Sequence, residues 1–177
     1  MNRFEELDLS LQDTEWPFVS VDNDRNIARA IVTDDEGIFY FVRAERNDEF
    51  GRATLIETSG GGVEEGEDPR TAVLRELKEE LGIDAEILAK IGVVSDYYNL
   101  IRRHNINNYF LCRIRSFGEK HLTRDEIETF RLSTLRLRYD DAVREYRRCA
   151  STPIGRLVAN RELPILERAK EMLDAEE

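Results

Sequence analysis

Residues 57–83 read ETSGGGVEEGEDPRTAVLRELKEELGI, and this stretch decides the fold. Asp68-Pro69 is a helix start, because Asp68 can cap exposed N–H groups and Pro69 suits the first helical position, where no N–H partner is needed. Arg70 to Leu81 contains neither Gly nor Pro, and Gly82 follows as a left-handed stop. At roughly 100° per residue, Val73, Leu74, Leu77 and Leu81 share one arc, a core face. Glu76, Glu79 and Glu80 share a second arc beside the first, so three carboxylates converge at the rim of a core.

Like charges at that spacing weaken a helix unless something neutralises them. A hard divalent cation does so, since Mg²⁺ prefers carboxylate oxygens, waters and substrate phosphates. Arg75 adjoins the acidic arc and is placed to orient it by ion pairing. Glu67, just before the helix, can reach back toward the same cluster. Gly60-Gly61-Gly62 reads as a flexible turn that lets backbone approach a ligand closely. An acidic helix alone is usually a solvated face. Here Gly61, Glu67, Arg75, Glu76, Glu79, Glu80 and Gly82 stand at fixed spacings, with aliphatic Leu77 and Ile83 among them.

Those residues spell Gly, five residues, Glu, seven residues, Arg-Glu-aliphatic-X-Glu-Glu-X-Gly-aliphatic, and the chain therefore resembles the Nudix hydrolase superfamily. The resemblance implies an α/β fold, a mixed β-sheet in an α/β/α sandwich, here with extra C-terminal helices. It implies cleavage of the diphosphate bond of a nucleoside diphosphate linked to another moiety, with Mg²⁺ or Mn²⁺ as cofactor. Carried over by position, Glu76, Glu79 and Glu80 match metal ligands, Arg75 the arginine that orients them, Glu67 the first Glu, and Gly61 and Gly82 the two glycines. Metal ions neutralise charge on phosphoryl oxygens and acidify an attacking water, whose proton a carboxylate can take. Which carboxylate does so varies within the superfamily, so the box leaves the base open. Glu79, Glu80, Arg75 and Glu126 form the expected catalytic set.

Composition sets outer limits. At 177 residues the chain is expected to be one domain, residues 1–177, with a helical part from about 139 to 177. No apolar run approaches the roughly 20 residues of a membrane span. The acidic N-terminus lacks the apolar stretch of a signal peptide, so a cytoplasmic location is expected. Cys112 and Cys149 show neither CxxC nor metal-ligand spacing and read as structural thiols. A net charge of −11 disfavours a nucleic-acid polymer as partner, so a small anionic nucleotide must be met by local arginines and a metal. Relatives are often homodimers, and the N-terminal arm or the C-terminal helices are candidate contacts for one here.

Read in order, residues 1–13 are a short helix or an arm. Trp16 and Phe18 pack under the sheet or line a pocket. Ile27–Thr33 and Ile38–Ala44 are β-rich and flank Asp34-Asp35-Glu36-Gly37, a hairpin turn. Residues 45–53 read as a charged loop and Thr54–Thr58 as the strand entering the glycines. Glu57 ends that strand as either a further metal ligand or a plain strand-end residue. Ala85–Val94 and Asn108–Ser116 are strands joined by a long polar and aromatic loop. In that loop Tyr97 or Tyr98 can stack on a base, and Arg102 and Arg103 can bind phosphate. Gly61 and Gly62 complete the expected substrate-binding set. Downstream, Asp125, Glu126 and Glu128 are candidates for an acid near the metals, Glu126 foremost. A short strand over 132–137, a helix from about Asp140 to Cys149 and a closing amphipathic helix through Leu163, Leu166, Ala169, Met172 and Leu173 finish the chain.

Subclass markers disagree. Glu57 before the glycines resembles ADP-ribose pyrophosphatases, but Tyr98-Asn99-Leu100 stands where those enzymes carry a Pro. Tyr97 and Tyr98 lie early for dinucleoside polyphosphate hydrolases, and Thr58-Ser59 replaces the Pro of many nucleoside triphosphate hydrolases. The main alternative is a non-catalytic nucleotide-binding sensor on the same fold, which the intact box disfavours. A diphosphate isomerase needs a His-rich metal site, and His104 and His121 are the only histidines.

Overall fold

In the computed structural model, which describes residues 4–176, the box helix α1 spans Pro69–Leu81. It is bounded as its sequence dictates. The Asp68 side chain accepts from the Thr71 N–H at 3.0 Å, and Gly82 stops the helix at φ 65°, where its N–H reaches Lys78 O at 3.1 Å. A Cβ at Gly82 would lie 2.4 Å from Gly118 O, so the stop also needs the missing side chain.

Ahead of α1 run the strands β1 (Leu7–Ser10), β2 (Asn23–Thr33), β3 (Phe39–Asp48), β4 (Gly51–Glu57) and β5 (Ser59–Gly62). After it come β6 (Ile83–Tyr98), a 3₁₀ turn at Asn99–Ile101, β7 (Arg103–Phe117), α2 (Arg124–Glu128), β8 (Ser133–Leu137), α3 (Tyr139–Cys149) and α4 (Pro153–Asp174). The strands form one mixed sheet in the order β1-β6-β7-β2-β3-β4, with β5 paired to β2 and β8 to β3. Pairing is parallel for β1 with β6 and for β2 with β7, and antiparallel elsewhere.

Alternation along the central strands splits the core into two layers. Ala28, Ala30, Val32, Phe110 and Cys112 pack against Ala72, Val73 and Leu77 of α1. Ile31, Phe39, Phe41, Tyr109 and Leu111 pack against Tyr146 of α3 and Leu157, Val158 and Ile165 of α4. The chain is therefore the expected α/β/α sandwich with a mixed sheet.

One irregularity of the sheet positions the site. Although long, β2 and β3 pair only at Val32–Tyr40 and Thr33–Phe39. Beyond that they diverge, β2 taking β5 and β3 taking β4 and β8. The sheet opens as a V, and the glycines lie on its inner edge.

Four expectations are corrected. Residues 45–53 are not a loop but the tip of the β3–β4 hairpin, where Arg46 pairs laterally with Asp48 at 2.9 Å and Gly51 turns the chain at φ 101°. Gly60-Gly61-Gly62 is not a turn but strand β5, in register with Ile27–Arg29. The long loop between β6 and β7 is mostly strand, because Tyr98 pairs with Arg103 and only Asn99–Arg102 turns. Residues 7–10 are neither helix nor free arm, but pair with Gly92–Ser95. In each case neighbouring strands satisfied the backbone, which polar or glycine-rich composition had suggested would stay unpaired. The closing helix also starts earlier than expected, at Pro153 behind the Thr152 cap, and continues through Pro164.

Helix α4 is tied to the sheet by charge as well as by apolar contact. Arg161 and Glu162 are both fully buried. Glu162 accepts from the Thr58 N–H at 3.0 Å, from Thr58 Oγ1 at 2.7 Å and from the Tyr109 hydroxyl. Arg161 donates to Tyr109 Oη at 2.9 Å, Asp96 Oδ2 at 3.1 Å and Tyr98 Oη at 2.6 Å. Removing one partner of such a pair strands the other in low dielectric. Glu162→Ala is therefore expected to lower unfolding free energy by about 3–5 kcal/mol, as read from urea denaturation; a loss below about 1 kcal/mol would contradict the buried role.

Candidate functional site

Arg75 is the hub of the acidic end of the site. Its Nε and Nη2 donate to the two oxygens of Glu67, each at 2.9 Å, and Nη2 also donates to Gly62 O at 3.1 Å. Nη1 reaches Glu76 Oε1 at 2.9 Å and Glu79 Oε2 at 3.4 Å. One guanidinium thus bridges three carboxylates, leaving the cluster net negative, and pins α1 to β5. Its hydrogen bonds hold the Glu67 carboxyl down at about 2.

Glu76 and Glu80 lie deeper. Glu76 is 9% exposed, and its carboxylate occupies the space a side chain at Gly61 would need, 2.4 Å from a Cβ there. Glu80 accepts from Ser59 Oγ at 2.8 Å and from the Gly60 N–H at 3.2 Å. Burial raises the Glu76 carboxyl pKa and pushes that of Glu80 up to about 8, with Glu76 and Glu126 adding like-charge repulsion.

Glu76 and Glu80 face a cavity of about 610 Å³ in the mouth of the V, which Glu57, Gly61, Gly62 and Glu126 also line. Across it stand Arg25, Arg29, Arg46 and Arg103, with Phe50, Ile101, Phe130 and Leu132 supplying apolar surface. Arg46 is already engaged, by Asp48 and by Glu57 at 3.8 Å. Glu126, in α2, is held loosely through a capping box with Thr123, its carboxylate accepting from the Thr123 N–H at 3.3 Å.

Of the residues singled out in the sequence, the structure gathers Glu57, Gly61, Gly62, Glu76, Glu80, Tyr98, Arg103 and Glu126 around this cavity. Glu79 and Arg75 do not line it, and are linked to it through the Arg75 bond to Glu76. Others lie elsewhere. Glu67 spends both oxygens on Arg75. Tyr97 stacks on His104, with ring centroids 4.7 Å apart, and faces a different hollow. Arg102 pairs with Asp22 at 3.2 Å on the exposed turn. Tyr98 lines the cavity, yet its ring is largely buried against Phe50 and its hydroxyl accepts from Arg161, so it is wall rather than free stacking platform. Sequence reading missed Arg25, Arg29, Arg46 and Phe50. Arg25, Ile27 and Arg29 alternate onto one face of β2, a signal visible only once the strand is known to begin at Asn23.

Residues 24–149 match the family description "NUDIX domain". The chain belongs to the NUDIX family. It is 71% identical over 31 residues to Nudix hydrolase 26, chloroplastic, of Arabidopsis thaliana, covering 17% of this chain and 14% of that one. Over 61 residues it is 41% identical to the CTP pyrophosphohydrolase of Escherichia coli, covering 34% of this chain and 43% of the other. The alignments thus span less than half the length of these curated relatives. A NUDIX hydrolase from Nitrosomonas europaea shares the fold with a TM-score of 0.61 at 14% identity, over 85% of this chain and 88% of that one. No helix among the described residues is long and apolar enough to cross a membrane.

NUDIX hydrolases generally use divalent cations, and the residues here fit one. Among the described residues no three His, Cys, Asp or Glu side chains stand as a ready-made cage; Arg75, Ser59 and Gly60 hold the acids in their present positions. The donor set is nonetheless all hard oxygen, and buried Glu76 and Glu80 share one cavity wall with Glu57. Glu79 is linked to that wall through Arg75.

The raised Glu80 pKa has a sign that can be checked in metal-free protein. With a folded value of about 8 against an ordinary 4.5, folding binds a proton between those pH values, so this group's contribution is fullest below 4.5 and is lost as pH rises through 8. In EDTA the melting temperature should therefore fall from pH 5 to pH 8.5 by on the order of 5 °C more in the wild type than in Glu80→Gln. Equal slopes in the two proteins would contradict the burial of an ionisable Glu80.

Proposed function

We propose that the chain is a Mg²⁺- or Mn²⁺-dependent pyrophosphohydrolase that cleaves the diphosphate bond of a nucleoside diphosphate linked to another group. The observation that carries this reading is the single cavity with Glu57, Glu76, Glu80 and Glu126 on its acidic side and unshielded arginines opposite. A phosphorylated substrate laid across it meets a cation site at one end and guanidinium donors at the other. The name of the E. coli relative, a CTP pyrophosphohydrolase, supports the reaction class, as does family membership.

Glu76 and Glu80, with Glu79 joined to Glu76 through Arg75, are the proposed metal ligands, and Glu57 is the further candidate on the same wall. A divalent cation supplies charge neutralisation for the phosphoryl oxygens and a more acidic water. Arg75 holds Glu76 and Glu79 at fixed distance from one another, so the ligands are set before substrate arrives. Water adds to one phosphorus, the bridging P–O bond breaks, and two phosphate-terminated products leave. Glu126 is the carboxylate proposed to take the water's proton, because it lies on the cavity apart from the Arg75 cluster and is bound only through its helix cap. Phe50, Phe130 and Ile101 give the apolar surface against which a base or sugar packs.

The test is product release from a panel of ADP-ribose, sugar nucleotides, dinucleoside polyphosphates and nucleoside triphosphates, with Mg²⁺, Mn²⁺ or EDTA. Cation-dependent cleavage of at least one member is expected. Glu80→Gln should lower kcat by roughly 100-fold or more and weaken Mn²⁺ binding, whereas Glu126→Gln should lower kcat by about 100-fold with Mn²⁺ affinity unchanged. Nucleotide binding with no cleavage at any cation or pH would replace the hydrolase by a sensor.

A further inference from the structure

The triglycine strand separates two opposite charges by one backbone. On β5 the missing Cβ of Gly61 would meet the Glu76 carboxylate at 2.4 Å, that of Gly62 would lie 3.4 Å from Arg25 Nη2, and that of Gly60 would meet Ala28 O at 2.2 Å and Arg29 Cγ at 2.9 Å. Successive positions of a strand point to opposite faces, so carboxylate and guanidinium groups lean on the two sides of a ribbon that has no side chains of its own. Any side chain here would displace one of them.

The arginines of the basic side are not balanced as their neighbour Arg46 is. Arg46, on the same cavity, is balanced by Asp48 and Glu57. Among the described residues, Arg25, Arg29 and Arg103 have no carboxylate at ion-pair distance, and Arg29 is bound only through Nε to Asn107 at 3.0 Å. Burial, with the charges of Arg103 and Arg29, lowers the Arg25 pKa, against the pull of Glu76. Arg103 Nε is buried with no hydrogen-bond partner. In register with Arg25 on β7 lies Asn105, 1% exposed, with both amide atoms unpartnered. Arg103 Nε and the Asn105 amide are thus buried polar groups without partners, which cost stability until something completes them, and they lie beside exposed Arg25 and half-buried Arg29.

We propose that Arg25, Arg29 and Arg103 form a phosphate subsite on the far side of the glycine strand from the carboxylates, and that the substrate carries a phosphate beyond the scissile diphosphate, as a nucleoside tri- or higher polyphosphate does. The substrate clause rests on the pyrophosphohydrolase reading; the anion subsite does not. Arg25 and Arg103 are the specificity-determining donors. Arg29 fixes the floor through Asn107. A sugar nucleotide places a neutral hydroxylated ring against the same arginines and leaves their charge unmet.

The probe is inorganic tripolyphosphate, titrated calorimetrically in EDTA into the full chain. Wild type should bind it, Arg25→Gln and Arg103→Gln should each bind roughly tenfold more weakly, and the double variant more weakly still. Arg25→Lys should fall between wild type and Arg25→Gln. Arg144→Gln, on the exposed side of α3, controls for net charge and should bind as wild type. Circular dichroism confirms that each variant is folded. Absence of binding by wild type, or a double variant within twofold of it, overturns the subsite. With cation present, the ratio of kcat/KM for a nucleoside triphosphate over a sugar nucleotide should be well above one and drop about tenfold in the double variant; an unchanged ratio overturns the specificity role. If wild type cleaves no member of the nucleotide panel, the hydrolase reading fails, while the tripolyphosphate titration still decides the subsite.

Discussion

The structure of the site depends on one requirement, that several carboxylates stand together at the edge of an apolar core. Carboxylates at i, i+3 and i+4 repel, and burying two of them adds a desolvation cost that raises their pKa values. Arg75 offsets this for Glu67, Glu76 and Glu79, and its bond to Gly62 O fastens helix to strand. Glu80 is not reached by Arg75 and relies on Ser59 and the Gly60 N–H. Glu76 and Glu80 are only partly compensated, so folding leaves electrostatic strain where the proposed chemistry needs affinity for a metal.

The surrounding fold can be understood as support for that edge. The glycines of β5 admit side chains from α1 on one face and from β2 on the other. Thr58, at the entry to β5, is held from beneath by Glu162, and Glu162 belongs to α4, which lies beyond the residues that match the NUDIX domain. The C-terminal helix therefore reaches the site through a chain of contacts, Glu162 to Thr58, then Ser59 to Glu80. Arg161 from the same helix anchors Tyr98 and Asp96 on the opposite strand pair.

Much of this was legible in the sequence. The helix, its Asp68 cap and its Gly82 stop follow from local rules that tertiary context does not override, and the family follows from the spacing of Gly61 through Gly82. The sandwich agrees with what that resemblance implies, and Glu57, Glu76, Glu80 and Glu126 line one cavity. What composition concealed was strand pairing. Residues 45–53 looked too charged for a strand, yet Arg46 and Asp48 pair with each other. Residues 95–107 looked like a loop, yet Asn105 and Asn107 lie inside β7. Because that hairpin is strand, Tyr97 and Arg102 fall outside the cavity, and Arg103 enters it beside Arg25. The basic wall joins β2 to β7 through a parallel pairing of residues about 80 positions apart, which no local pattern announces.

The most direct test of this account is a crystal structure of the chain with Mn²⁺ and a non-hydrolysable nucleoside triphosphate analogue, with the cation located by its anomalous scattering. The account predicts Mn²⁺ on the carboxylates of Glu76 and Glu80, and the phosphate chain crossing the glycine strand toward Arg25 and Arg103. Mn²⁺ bound away from α1, or a phosphate chain lying outside the mouth of the V, would contradict it.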